Sequence, residues 1–433
     1  MGTYLNRTPS SAGNRGIWTV SCWVKKSNPT HRTVLFGTPG SDNNSTMQFI
    51  LHQDSGVRFG VNTFNVFTTT NTFVMRDPAS WYHLVLSINT SEGSSDNRTK
   101  FYINGERFTN FDGNNLNSIT NGFQYGWNNT IAHTIGAEPT PADYMDGYIT
   151  NFVNIDGQAL GPSSFGETDS TTGEWKPKAD LSGLTFGTNG FWQKYESAGN
   201  LGLDSSGNSN TYTVNNAGTN AQTKDTGDNN FCTMNPLVAF EGSNSPNNIP
   251  DYSKGNTVAT ASNGTTRFAM STMATTMPYY FEVKVLSTSS TDTSQRVGVI
   301  DESAFGAPAT YSSVYRGDGS ITATGESNNT GNQTLSTNSI IGIAVDLATN
   351  NNIKYYHNGT LQATMAVGAA YRSLATSPFA RLVDATQSFS FNFGNPSYTI
   401  SSGNSDANGH GNFEYAVPSG YYALCTKNIN QYG

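Results

Sequence analysis

Apolar alternation with a period of two residues, without any competing helical period, constrains this chain more than any other feature. In Ile17-Trp-Thr-Val-Ser-Cys-Trp-Val24, Trp18, Val20, Cys22 and Val24 fall on one face and Thr19, Ser21 and Trp23 on the other, as in a half-buried β-strand. Trp81-Tyr-His-Leu-Val-Leu-Ser-Ile88 is apolar on both faces, which a central strand covered from both sides requires. No twelve-residue window combines a 3.6-residue period with capping residues. Composition agrees. Charged residues make up 12% of the chain, where about 25% is usual. Asn, Ser, Thr and Gly take their place, with 24 Phe, 21 Tyr and 6 Trp, a mixture suited to short strands and many turns.

The order of these phrases divides the chain. After Trp81–Ile88 come a polar loop, Asn89 to Arg98, and Phe101-Tyr-Ile-Asn-Gly-Glu-Arg-Phe108. Asn104-Gly105 predicts a type I′ hairpin, because both central residues must tolerate positive φ. The phrase recurs as Ile340–Leu347, a polar turn Ala348–Asn352, and Ile353–Leu361 around Asn358-Gly359. No shorter repeat is visible, which excludes propellers and solenoids. The predicted fold is all-β: two antiparallel β-sandwiches of related architecture, residues 1–168 and 240–433, each with its own core. Residues 169–239 read as a partly ordered connector, in which Leu184-Thr-Phe and Gly190-Phe-Trp-Gln-Lys-Tyr195 are short strands open to joining the first sandwich.

Several function classes are unsupported. A net charge of −8 provides no basic footprint for nucleic acid, and no apolar run approaches the ~18 residues of a membrane span. The N-terminus lacks the apolar core of a signal peptide, so the chain is expected to be made in a cytoplasm or to reach the outside by another route. Cys22, Cys232 and Cys425 are too dispersed for a disulfide framework or a zinc site, and Cys22 reads as a small core residue. The six histidines are scattered and no Gly-x-Ser-x-Gly elbow follows a strand. His83 and His357 read as structural. Glycoside hydrolysis needs two carboxylates held about 5–5.5 Å apart, or somewhat further in inverting enzymes. Each candidate strand carries a single acid, so Glu282 is expected on a solvated strand face and Asp346 at a strand end. The chain is read as a binding protein, not an enzyme.

Sugars present C–H faces to aromatic rings and hydroxyls to amides and carboxylates on loops held by a rigid scaffold. Tyr125, Trp127 and Asn128, and the pair Asp143 and Tyr144, combine those groups in turn-like sequence; Trp127 is the foremost of them. Tyr311, Tyr315 and Arg316, before Gly317-Asp-Gly-Ser320, are the counterparts in the second half. Burial in the core is the competing reading for each aromatic. No cofactor is required, and calcium is the one cation with a candidate site. Asp204, Asn208 and Asn210 offer oxygens at alternating positions; Asp112-Gly-Asn-Asn and Asp143-Tyr-Met-Asp-Gly147 are comparable loops, and a plain polar turn is the alternative for all three.

Trp18-Thr-Val-Ser-Cys-Trp-Val-Lys, Trp81-Tyr-His-Leu-Val, Phe101-Tyr-Ile-Asn-Gly and Met145-Asp-Gly-Tyr-Ile-Thr-Asn-Phe152 together resemble laminin-G-like, concanavalin-type jelly rolls. Ile155-Asp-Gly-Gln-Ala-Leu-Gly-Pro-Ser-Ser-Phe-Gly-Glu is similar to the closing segment of that module in phage structural proteins. Tyr279-Tyr-Phe-Glu-Val-Lys-Val, Gly342-Ile-Ala-Val-Asp-Leu and Ile353-Lys-Tyr-Tyr-His-Asn-Gly resemble a SPRY-type sandwich. Phe389-Ser-Phe-Asn-Phe-Gly and Pro418-Ser-Gly-Tyr-Tyr-Ala-Leu-Cys-Thr-Lys-Asn-Ile429 resemble its phage-type ending. The resemblance implies a phage virion surface protein, a tail fibre, spike or head fibre, made in the host cytoplasm and attaching to the host through carbohydrate. Its implied partners are other virion proteins, a host surface glycan and further copies of itself, as a trimer by analogy, with no nucleic acid and no membrane insertion. Laminin-G-like modules also carry calcium at the sandwich rim. A capsid decoration or cement protein, or a tail-assembly protein, is the alternative, with a glycan depolymerase behind both.

Overall fold

A computed structural model of the chain describes all residues except 1, 41–45, 55, 63, 219–220, 239–247, 263–265, 289–292, 302–311, 324–325 and 369–373. The chain forms two compact units, Met1–Gln222 and Thr223–Gly433. Residues 169–239 are divided between them.

In the first unit, Ile17–Lys26 and Tyr82–Asn89 pair antiparallel at the centre of a six-stranded sheet. Its order is Phe191–Gln193, Gly147–Asp156, Ile17–Lys26, Tyr82–Asn89, Thr99–Ile103, Glu106–Phe108. Facing it is an eight-stranded sheet: Gly113–Asn114, Phe64–Thr68, Val57–Val61, Met47–Leu51, Thr33–Thr38, His133–Ile135, Tyr4–Arg7, Thr213–Asn215. Trp18, Val20, Cys22 and Val24 enter the core between the sheets with Phe36, Phe49 and Phe59, as the alternation requires. The opposite face is buried as well. Val85, Val153 and Ile155 on that face pack under Phe165, Leu181, Phe186 and Trp192. Residues expected to form the connector thus cover the outer face of the six-stranded sheet, and they add a strand to each sheet. His83 lies on this covered face, stacked on Trp23 at 4.7 Å.

The second unit pairs a five-stranded sheet with a larger one. The larger runs Asp251–Ser253, Val258–Thr260, Ser388–Asn392, Tyr279–Ser287, Ile340–Asp346, Asn352–His357, Thr360–Ala366, with Tyr422–Ala423 in a short parallel bridge to Tyr279–Tyr280. The smaller runs Arg267–Met270, Thr376–Leu382, Arg296–Asp301, Ser312–Arg316, Ile321–Ala323. Phe281, Val283, Ile341, Ile343, Tyr355 and Phe391 fill the space between. Among the described residues the α-helices are two short ones, Ser95–Arg98 and Thr426–Tyr432, and no helix is long and apolar enough to cross a membrane.

Both Asn-Gly turns form, and by one device. Asn104 and Gly105 have φ of 47° and 88°, Asn358 and Gly359 of 46° and 78°, the left-handed pair that a type I′ turn needs. Each Asn side-chain oxygen also accepts a backbone N–H from the adjacent strand, from His83 and from Ile340, both at 2.8 Å.

Asp346 caps the turn at its strand end, accepting the N–H groups of Thr349 and Asn350. Glu282 departs from expectation: it is fully buried. Its Oε1 accepts from Tyr280 Oη (3.2 Å) and Tyr415 N (2.8 Å), and its Oε2 from Asn392 Nδ2 (3.1 Å), Tyr398 Oη (3.1 Å) and Glu414 N (3.0 Å). The strand does alternate, but a second layer of chain, including Phe413 and Tyr421, closes over the face that carries Tyr280 and Glu282.

Candidate functional site

The first sandwich opens where its two sheets end side by side. The Asn104-Gly105 turn reverses the chain so that Phe108 returns opposite Phe101 on the last strand of the six-stranded sheet. A few residues later Gly113–Asn114 becomes the last strand of the other sheet. Between these edges and the helix Ser95–Arg98 lies a cleft of about 460 Å³, within the size range of small-molecule sites. Its floor is aromatic. The half-buried rings of Phe108 and Phe111 meet edge to face at 5.4 Å, and Phe111 is braced on the core by Phe67 at 4.7 Å. Asp96, Asn97, Arg107, Thr109 and Asn114 surround the floor with polar groups.

The rim is tied down by arginines. Arg107 Nη2 donates to the carbonyl of Asp96 (2.7 Å), joining the edge strand to the helix. Arg98 donates to the carbonyls of Glu92, Gly93 and Ile119. An apolar floor ringed by amides, hydroxyls and one carboxylate can take a ring with a C–H face and peripheral hydroxyls.

The residues singled out by sequence lie elsewhere. Tyr125, Trp127 and Asn128 are each 0% exposed, which corrects their expected surface role. The turn around Asn128 does form, with φ of 61°, but it folds inward. The Trp127 indole N–H donates to Asn154 Oδ1 (2.9 Å) and its ring lies 5.1 Å from Phe36. Asn128 donates to the carbonyl of Asn14 (3.1 Å) and receives Asn154 Nδ2 (2.9 Å). Tyr125 meets Trp18 edge to face at 5.4 Å. Beside them, His133 accepts the Asn128 N–H at Nε2 (2.8 Å), and burial pulls its pKa down to about 4. This buried amide network is architecture.

Asp143 and Tyr144 are half-buried. The Asp143 carboxylate pairs with Arg32, whose guanidinium also holds Glu138 (2.8 Å) and Gln48 (3.3 Å). The Tyr144 hydroxyl donates to the carbonyl of Pro141 (3.1 Å). In the second unit Tyr311 lies outside the described residues. Tyr315 is a core residue with its hydroxyl on the carbonyl of Gln333, which also corrects the surface reading. Arg316 is half-buried on the opposite face of the same strand.

The residues of the 204–210 loop do not fit a calcium ion. Asp204 accepts the backbone N–H groups of Trp192, Ser206 and Asn210 and the Ser206 hydroxyl. Asn208 and Asn210 turn their amide N–H₂ groups toward backbone carbonyls, and Asn210 Oδ1 accepts from Arg7. The side-chain oxygens of Asp204 and Asn210 already hold donors. Asp112 is likewise engaged by Thr70 and Asn71. Among the described residues no group of three or more His, Cys, Asp or Glu side chains is arranged to hold a metal.

Sequence reasoning passed over Phe108, Phe111, Asn97 and Asn114. The signal was present, since Phe111 stands among Asn110, Asp112, Gly113 and Asn114 as Trp127 stands among Gly126 and Asn128.

Residues 2–163 match a family model described as the concanavalin A-like lectin/glucanases superfamily, of laminin G type. Residues 278–396 match the SPRY domain model. The chain therefore carries a concanavalin A-like and a SPRY β-sandwich, folds that are generally non-catalytic and bind. No curated protein matches the chain. Among solved structures, the human HERC1 SPRY domain is similar at 12% identity, covering 31% of this chain and 87% of that one, with a TM-score of 0.27. A heptameric SAP-like pentraxin from Limulus polyphemus is similar at 18% identity, covering 36% of this chain and 71% of that one, with a TM-score of 0.27.

Proposed function

We propose that this chain is a phage virion surface protein that attaches the particle to its host by binding carbohydrate in the cleft between Phe108, Phe111, Asn97 and Asn114. The observation that carries the binding reading is the aromatic floor with its amide rim, at the edge of a lectin-like sandwich. The virion reading rests on the closing segments Ile155–Glu167 and Pro418–Ile429, which resemble those of phage structural proteins. Further copies of the chain and other virion proteins are its expected partners. Several weak sites on one particle then multiply into useful avidity. The proposed chemistry is binding; among the residues lining the cleft Asp96 is the one acid.

The test is glycan binding by the intact chain, with Phe111→Ala and Asn114→Ala as variants. Covering the apolar surface that the cleft exposes is worth at most about 0.8 kcal/mol at 25 cal/mol per Å², so Phe111→Ala is expected to weaken binding up to about fourfold. Asn114 is exposed, so its replacement removes a rim group without disturbing the core. Glycan binding unchanged in both variants, or virion density that buries the cleft between subunits, overturns the proposal.

A further inference from the structure

In the second unit three arginines stand in one row. Arg296 lies directly opposite Arg381 on one neighbouring strand and opposite Arg316 on the other. All three share the outer face of the five-stranded sheet. Val297, Tyr315 and Ala380, one residue along on each strand, enter the main core, whereas Ile300, Val314 and Phe379 belong to a separate outer cluster. Phe268, opposite Arg381 on the edge strand, closes the row, with the Arg381 guanidinium 5.9 Å from its ring.

Like charges directly opposite one another destabilise a sheet, and burial, together with the charges of Arg316 and Arg381, lowers the Arg296 pKa. Among the described residues no carboxylate comes within ion-pair distance of Arg296 or Arg316. The Arg316 charge reaches Asp318, whose Oδ1 accepts the N–H and hydroxyl of Ser320 (2.9 and 2.6 Å). Arg296 Nε reaches only a carbonyl, that of Thr293 at 3.3 Å. Arg316 Nε is buried without a hydrogen-bond partner among the described residues. Half-buried guanidinium forks in a row form a receptor for planar oxyanions, which arginine binds two bonds at a time.

We propose that the Arg381–Arg296–Arg316 row seats the sulfate or carboxylate groups of an acidic polysaccharide. Neighbouring strands lie 4.7–4.9 Å apart, so the row spans about 10 Å, close to the length of a disaccharide. Nucleic acid is disfavoured. Three arginines neutralise too few phosphates to hold a duplex at physiological salt, and the chain as a whole carries −8. The row is separate from the cleft of the first unit and uses different chemistry.

The experiment measures binding of the intact chain to dextran sulfate, polygalacturonate, neutral dextran, poly-glutamate and a DNA duplex. Dextran sulfate or polygalacturonate is expected to bind, and whichever binds more tightly identifies the anion as sulfate or carboxylate. In Arg296→Gln/Arg316→Gln the affinity falls at least about tenfold, and the slope of log K against log salt falls by about 2. Arg316→Lys keeps the charge, loses the fork and gives an intermediate affinity. Relief of like-charge repulsion means the double variant melts no lower than the parent, so loss of binding is separable from loss of fold. Equal binding by parent and double variant overturns the proposal, as does tighter binding of DNA or poly-glutamate than of either acidic glycan. Neutral glycan binding at the cleft is assayed independently, so the two readings fail separately.

Discussion

Replacing Glu282 tests whether the second unit is latched by one buried carboxylate. Five donors converge on it, two on Oε1 and three on Oε2. Glutamine keeps the shape but supplies one acceptor oxygen and an N–H₂ group. Phenol hydroxyls can turn to accept a hydrogen; backbone N–H groups cannot. The least costly placement sets the N–H₂ on the Oε1 side, where Tyr280 rotates and only the Tyr415 N–H is stranded. One buried unsatisfied donor costs about 1–3 kcal/mol, a fall in Tm of about 2–12 °C for a unit of this size. Alanine strands all five donors and is expected to cost about 3–5 kcal/mol, as for a buried pair that loses one partner. The pH dependence sharpens the test. Burial raises the Glu282 pKa against the pull of its donors. The folded state therefore takes up a proton before the unfolded state does, and the contribution of Glu282 grows as pH falls toward the ordinary glutamate range. A protonated Glu282 has a single O–H, which the Tyr280 hydroxyl can accept while Tyr415 keeps its acceptor. The gap between parent and Glu282→Gln thus widens from pH 7 to pH 5. Scanning calorimetry of the intact chain measures it. A Gln variant melting within about 1 °C of the parent at both pH values refutes the reasoning.

Two further predictions concern the first unit. His83 accepts the Trp175 indole N–H at Nδ1 (3.0 Å), and burial takes its pKa down to about 3, with His133 at about 4. Both lie below the ordinary value of about 6.5, so their contribution is present at neutral pH and is lost as pH falls from there toward the folded values. Each withheld proton is worth about 1.4 kcal/mol per pH unit, or about 4 kcal/mol for the pair between pH 6.5 and 5. Urea titrations at a series of pH values should show this slope, halved in His83→Gln; equal slopes in parent and variant contradict it. Trp127→Phe removes the hydrogen bond to Asn154 and is expected to cost about 1–3 kcal/mol in denaturation, with glycan affinity unchanged. A selective loss of glycan binding at unchanged stability would return Trp127 to the surface role its sequence suggested.

What the sequence could and could not disclose follows from the range of the interactions involved. The strand Ile17–Lys26 and the two Asn-Gly hairpins are set by neighbours within a few positions, and there alternation and turn chemistry suffice. Trp127 and Phe111 carry the same local signature, an aromatic among turn residues, yet one is core and the other is a cleft floor. The difference lies in distant partners: Asn128 and Asn154 close over Trp127 with Asn14, Asp156 and Asn189, whereas Phe111 stands between the last strands of two sheets. Glu282 obeys the period-two rule, but chain more than a hundred positions later covers its face. The arginine row depends on distance in the same way. Arg296, Arg316 and Arg381 share no motif and no spacing; only the register of three strands brings them opposite one another. A charge in a β-sandwich is therefore assigned its neighbours by register and sheet order, and the residues proposed to bind here are those whose surroundings the fold, not the local sequence, selects.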